Sequence, residues 1–110
     1  MKKIKIPFND WSMVKLKHSS KECTSRTKKY GNEGDIFTTD FENFRITYRI
    51  THILKLPLWI VRDFLYKAEG AESPHIFENV WNEIHPIRRY QPNDMVFVHF
   101  FEIAETKQPI

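Results

Sequence analysis

The segment from Lys21 to Phe37, K-E-C-T-S-R-T-K-K-Y-G-N-E-G-D-I-F, sets an amine, a hydroxyl and a guanidinium within six residues, at Lys21, Thr24 and Arg26, beside a Gly34-Asp35 turn. Such groups are costly to bury unless they are paired, so their density marks a polar site and not a core strand. Their chemistry suits a nucleobase, a phosphate or a scissile amide. If residues 22–26 are extended, Thr24 and Arg26 share a face and Lys21 points to the other, so Lys21 must fold back from the preceding loop to meet Thr24.

Further candidates flank this segment. Lys28, Lys29, Arg45 and Arg49 could extend a phosphate-contacting track, Tyr30 could stack on a base, and Trp11 lies just upstream, where it could line a cleft. Solvated charges and a packed ring are the competing fates of these residues. Arg26 has two readings, a bidentate grip on a ligand or a structural bond to backbone carbonyls of the Gly31–Asp35 turn, where Asp35 is expected to act as a cap. Cys23, out of phase with Thr24, is expected as a buried structural thiol. His18, His52, His75, His85 and His99 show no paired ligand spacing, so no metal site is expected, and no cofactor.

The elements that hold such a site must come from 110 residues, 41% hydrophobic and 15% aromatic. That length suits one domain spanning 1–110 with a core of its own. A lone cysteine excludes an internal disulfide framework and fits a reducing compartment. No apolar run approaches a membrane span, and Pro7 interrupts the N-terminal M-K-K-I-K-I-P-F, so a soluble, cytoplasmic protein without membrane partners is expected. The charge is asymmetric: residues 1–30 hold nine Lys/Arg against Asp10 and Glu22, whereas residues 31–110 hold eight against twelve acids. A basic segment of this kind attracts a polyanion if the fold gathers it on one face.

Ile4 and Ile6 alternate with lysines as a short first strand, and Asn9 or Asp10 caps a helix whose buried stripe is Trp11 and Val14. Strands follow over Glu22–Arg26 and Ile36–Thr39, and the alternation from Phe44 to Thr51 gives a third. Leu58–Ala68 reads as a largely buried helix with Pro57 at its start and Gly70 as its C-cap. Ser73-Pro74 opens another helix with the apolar stripe Ile76, Phe77, Val80, Trp81 and Ile84, stopped by Pro86. Met95–Phe101, apolar apart from His99, suits a strand buried on both faces. Trp59, Trp81, Phe97, Phe100 and Phe101 are expected in the core. The sum is an α+β domain in which helices plug a curled sheet.

The run Lys21-Glu22-Cys23-Thr24-Ser25-Arg26, then Lys28, Tyr30-Gly31 and Gly34-Asp35-x-Phe37, resembles the ASCH family of PUA-like domains, with their G-x-K-x-x-T-x-R segment leading into G-D-x-F. Glu69-Gly70-x-x-Ser73-Pro74, the helix with Trp81 and Ile84, and Val96-x-Val98-x-Phe100 continue the likeness over about residues 8 to 102. Ser20 stands where glycine is usual, and Ala71 where a bulky residue is usual. The resemblance implies a PUA-like mixed β-barrel with flanking helices and a cleft for RNA or a modified nucleoside. Some small members are amidohydrolases acting on N4-acetylcytidine, and by position their catalytic lysine, threonine and glutamate correspond to Lys21, Thr24 and Glu69.

In that reading a neutral Lys21 takes the proton of Thr24, which attacks the acyl carbonyl, while Glu69 relays protons to the leaving amine. Nearby Arg26 and burial favour neutral Lys21, and Glu69 opposes it. Three readings therefore stand side by side: an amidohydrolase on an N4-acylated cytidine, a non-catalytic RNA-binding or regulatory module in which Lys21 stays charged, and a purely structural polar cluster.

Overall fold

A computed structural model of the chain describes residues 1–109, apart from the side chains of residues 106–108; Ile110, the end of the expected domain, lies outside the described residues. Four strands, β1 (Cys23–Arg26), β2 (Ile36–Asp40), β3 (Phe44–Pro57) and β4 (Met95–Pro109), form one antiparallel sheet in the order β1-β4-β3-β2. The sheet is a curled half-barrel with helices packed around it, the α+β architecture that the sequence pattern predicts. β4 is one of the two inner strands, and its Val98 and His99, neighbours of opposite parity, are both fully buried. A strand covered on both faces needs a nearly unbroken apolar run, and Met95–Phe101 supplies it.

Helix α1 (Asp10–Lys17) starts where Asn9 accepts a hydrogen bond from the Ser12 N–H. Its buried residues are Ser12 and Leu16, one turn apart, whereas Val14 is 54% exposed, which corrects the expected Trp11/Val14 stripe. The helix turns the Ser12/Leu16 edge inward because Leu16 fills a cluster with Ile6, Phe37, Ile46, Tyr48, Ile50 and Phe101. The expected first strand at Ile4 and Ile6 is reduced to one parallel bridge, Lys3 to Ile36. The Ile4 N–H donates to the Ile36 carbonyl and the Ile36 N–H to the Lys2 carbonyl, after which a cleft lined by Ile6, Pro7, Thr38 and Asp40 separates the arm from β2.

The apolar stretch after Pro57 divides into α2 (Leu58–Phe64) and α3 (Tyr66–Glu69), with Leu65 at φ −115° between them. The break lets α3 dock on the approach to β1, where the Glu22 N–H donates to the Ala68 carbonyl at 2.6 Å. Burial in α2 is narrower than its composition suggests: Leu58 and Val61 are buried, Trp59 is 40% exposed and Phe64 72% exposed. Periodicity explains this, because a seven-residue helix has room for one buried stripe. Helix α4 (Pro74–Ile84) begins as expected, with the Ser73 hydroxyl accepting from the Ile76 N–H, and buries Phe77 and Trp81 beside Cys23, Leu58, Val61, Val96 and Val98.

Candidate functional site

Residues 21–26 approach and then form the sheet edge at β1, so their side chains alternate between two environments. Lys21, Cys23 and Ser25 share the side that meets α3. Lys21 Nζ donates to the Glu69 carbonyl at 2.9 Å and to Glu69 Oε1 at 3.1 Å. The Ser25 hydroxyl donates to Glu69 Oε2 at 2.6 Å, and Cys23 Sγ lies 3.7 Å from the same oxygen. All four side chains are buried. Burial, and then the Glu69 charge, push the Cys23 thiol up, so it stays protonated and weakly reactive.

Glu69 owes its position to its backbone. Gly70 follows at φ +102° as the left-handed C-cap of α3, and its Cα faces α1 so closely that a Cβ there would lie 3.1 Å from Lys15 Cβ and Cγ. Only glycine supplies both the conformation and the space.

The other side of β1 carries Thr24 and Arg26. Thr24 is fully buried, and its Oγ1 accepts a hydrogen bond from Arg26 Nη1. Arg26 also donates to the carbonyls of Ser25 at 3.1 Å and Pro7 at 2.6 Å, and its guanidinium lies 5.1 Å from the Phe8 ring centroid. Arg26 thus bonds backbone carbonyls while it also lines the cavity described below. The carbonyls belong to Ser25 and the N-terminal arm, not to the Gly31–Asp35 turn. Burial lowers its pKa, with Glu69 acting in the opposite direction. Asp35 caps its turn as expected, accepting from the N–H groups of Asn32 at 2.8 Å and Lys2 at 3.0 Å.

His99 ties these parts together from β4. Tyr30 N–H donates to Nε2 at 2.9 Å, so the ring proton sits on Nδ1, 3.2 Å from the Thr24 carbonyl. Burial pulls its pKa below the usual histidine value; the Thr24 carbonyl opposes that shift and Arg26 adds to it.

A cavity of about 450 Å³ opens on the Glu69 side. Its polar wall includes Lys21, Ser25, Arg26 and Glu69, and its aromatic wall Phe8, Trp11, Tyr30, Phe77 and Trp81. Of the expected site residues, Lys21, Glu69, Arg26, Lys28, Tyr30 and Trp11 line it. Thr24 and Lys29 do not. Lys29 is exposed and donates to Asn32 Oδ1 at 3.0 Å, while Lys28 sits 5.0 Å from the Tyr30 ring centroid. Arg45 and Arg49 are not gathered into a track with them: Arg45 pairs with Asp40, and Arg49 lies 3.9 Å from Glu102.

Ser25, Phe8, Val80, Ile84 and His85 also line the cavity, a role the sequence did not assign to them. Ser25 was legible in the parity it shares with Lys21. Val80, Ile84 and His85 continue the α4 stripe beyond its buried part, and the His85 ring stacks 4.2 Å from that of Trp81. Among the described residues no group of three His, Cys, Asp or Glu is arranged to hold a metal.

No protein-family model and no curated protein matches the sequence. The backbone does have counterparts. An ASCH domain from Lactobacillus crispatus JV V101 superposes with a TM-score of 0.62 at 10% identity, over 93% of this chain and 78% of that one. The protein has an ASCH-like fold. A DUF984 protein from Enterococcus faecalis V583 is similar to the same degree, with a TM-score of 0.62 at 15% identity over 94% of this chain and 78% of its own. At such identities the likeness is one of fold. The particulars of this ASCH-like chain, above all Ser25 on Glu69 and Thr24 under Arg26, rest on its own geometry.

Proposed function

We propose that the chain, acting as one domain over residues 1–110, binds a modified nucleoside, free or within RNA, in the cavity between β1, α1 and α4. The observation that carries this reading is the pairing of walls. A volume of about 450 Å³ falls in the range of small-ligand sites, with Trp11 and Tyr30 able to stack on a base and Lys21, Ser25 and Glu69 able to bond its polar edge. Lys28 and Lys29, exposed beside Tyr30, suit a phosphate at the mouth. The ASCH-like fold is consistent with an RNA-related role.

Tryptophan fluorescence titrated with cytidine and N4-acetylcytidine tests the reading. Saturable quenching is expected, weakened in Trp11→Ala by the loss of about 1–3 kcal/mol of stacking. No saturable change with any nucleoside, by fluorescence or by calorimetry, overturns it.

A second reading, hydrolysis of an N4-acylated cytidine in the same cavity, is favoured by the Lys21–Glu69 pair on its polar wall. Chromatography of N4-acetylcytidine incubated with the protein reports it as released cytidine.

A further inference from the structure

We infer that the acyl-accepting hydroxyl of the cavity is Ser25, with Glu69 as its base and Lys21 holding that carboxylate, acting on an amide or ester of the bound ligand. The inference rests on the ligand reading above and adds a nucleophile to it. Three observations separate Ser25 from Thr24. Ser25 lines the cavity and Thr24 does not. A carboxylate only accepts, so the 2.6 Å contact fixes the Ser25 proton on Glu69 Oε2 and leaves the serine lone pairs for attack. The Thr24 oxygen instead receives a hydrogen bond from a guanidinium, which engages a lone pair and draws electron density away.

The arrangement has the three parts of an activated nucleophile: hydroxyl, base and a group that orients the base. Lys21 spends two of its three N–H donors on Glu69. The third remains for the oxygen that becomes negative in the tetrahedral intermediate, since Lys21 is itself on the cavity wall. In the first half-reaction the Ser25 proton passes to Glu69 and Oγ bonds to the acyl carbon. The carbon–nitrogen bond then breaks, and the amine leaves with the proton from Glu69. In the second, water gives a proton to Glu69 and attacks the acyl carbon, and Ser25 Oγ departs with that proton. The products are a carboxylic acid and an amine.

Parent, Ser25→Ala, Ser25→Thr and Thr24→Val proteins are incubated with N4-acetylcytidine and followed by cytidine release, with fluorescence binding measured in parallel. In a separate arm the parent is treated with p-nitrophenyl acetate and mapped by peptide mass spectrometry. Ser25→Ala should lose release at least about a hundredfold more than Thr24→Val, in line with loss of an activated nucleophile and its proton transfer. Ser25→Thr should recover part of the activity, and the acetyl group should map to Ser25. A circular dichroism spectrum of Ser25→Ala that matches the parent's shows that it is folded. Undiminished release by Ser25→Ala, or a parent that binds the nucleoside but neither releases cytidine nor becomes acetylated at Ser25, overturns the inference. Acetylation of Ser25 without nucleoside binding sustains the inference and overturns the nucleoside reading alone.

Discussion

The two sides of residues 21–26 differ in what holds them. On one side Lys21, Cys23 and Ser25 converge on a single carboxylate, Glu69, at the wall of a cavity. On the other, Thr24 and Arg26 are bound to the N-terminal arm through Pro7 and to β4 through His99. Both sides are polar and largely buried, yet one gathers its groups round a carboxylate on the cavity wall, whereas the other spends Thr24 on the frame and reaches the cavity through Arg26. The identity of a residue therefore says less about its role than the parity of its place on the strand.

The largest expected effect comes from removing the shared carboxylate. Glu69→Ala leaves the Lys21 ammonium buried without a counter-charge, held by the residue 69 carbonyl alone, and should cost about 3–5 kcal/mol in urea unfolding. Replacing both partners, Lys21→Met with Glu69→Leu, should keep stability at or above the parent's while abolishing nucleoside binding. A double variant as unstable as Glu69→Ala would show that the pair serves the frame as well as the cavity, and the contrast between the sides would fail.

On the frame side, Thr24→Val removes the acceptor of a buried guanidinium hydrogen bond and should lower stability by about 1–3 kcal/mol, read by the same unfolding curves, with a smaller effect on binding. His99 gives a pH signature. Its folded pKa lies below its unfolded value, so the unfolded chain takes up the proton first. Stability is thus full above about pH 6.5 and declines as the pH falls toward the folded value. The measurement is the urea midpoint at a series of pH values, with His99→Gln expected to lack this part of the slope. The smallest effect belongs to the mouth: Lys28→Ala should leave stability within about 0.5 kcal/mol and reduce the salt dependence of RNA-oligonucleotide binding by roughly one ion.

Local signals made much of this architecture readable. The Asn9 and Ser73 caps, the Gly70 stop, the Gly31–Asp35 turn and the Phe44–Thr51 alternation depend on neighbours in sequence, and each is found where those neighbours place it. The site was half legible. Lys21 and Glu69 could be named as a pair, and the two sides of 21–26 follow from extended geometry. Which side the carboxylate joins depends on the break at Leu65, which turns α3 onto β1, and a continuous apolar pattern from Leu58 to Ala68 carries no mark of it. Trp59 and Phe64 were misplaced for the same reason, because hydrophobicity was read without the break that limits how much of it can be buried.

Gly70 lines no part of the cavity, yet it sets the range over which the site can vary. An added methyl group would strain a left-handed residue and press on Lys15, with Lys21 Cβ only 3.5 Å away. Relief of that pressure moves either α1, which carries Trp11, or the turn that carries Glu69. The cavity's two walls thus share one hinge point, and a library that diversifies Trp11, Ser25 or Trp81 to change the ligand must leave this glycine untouched.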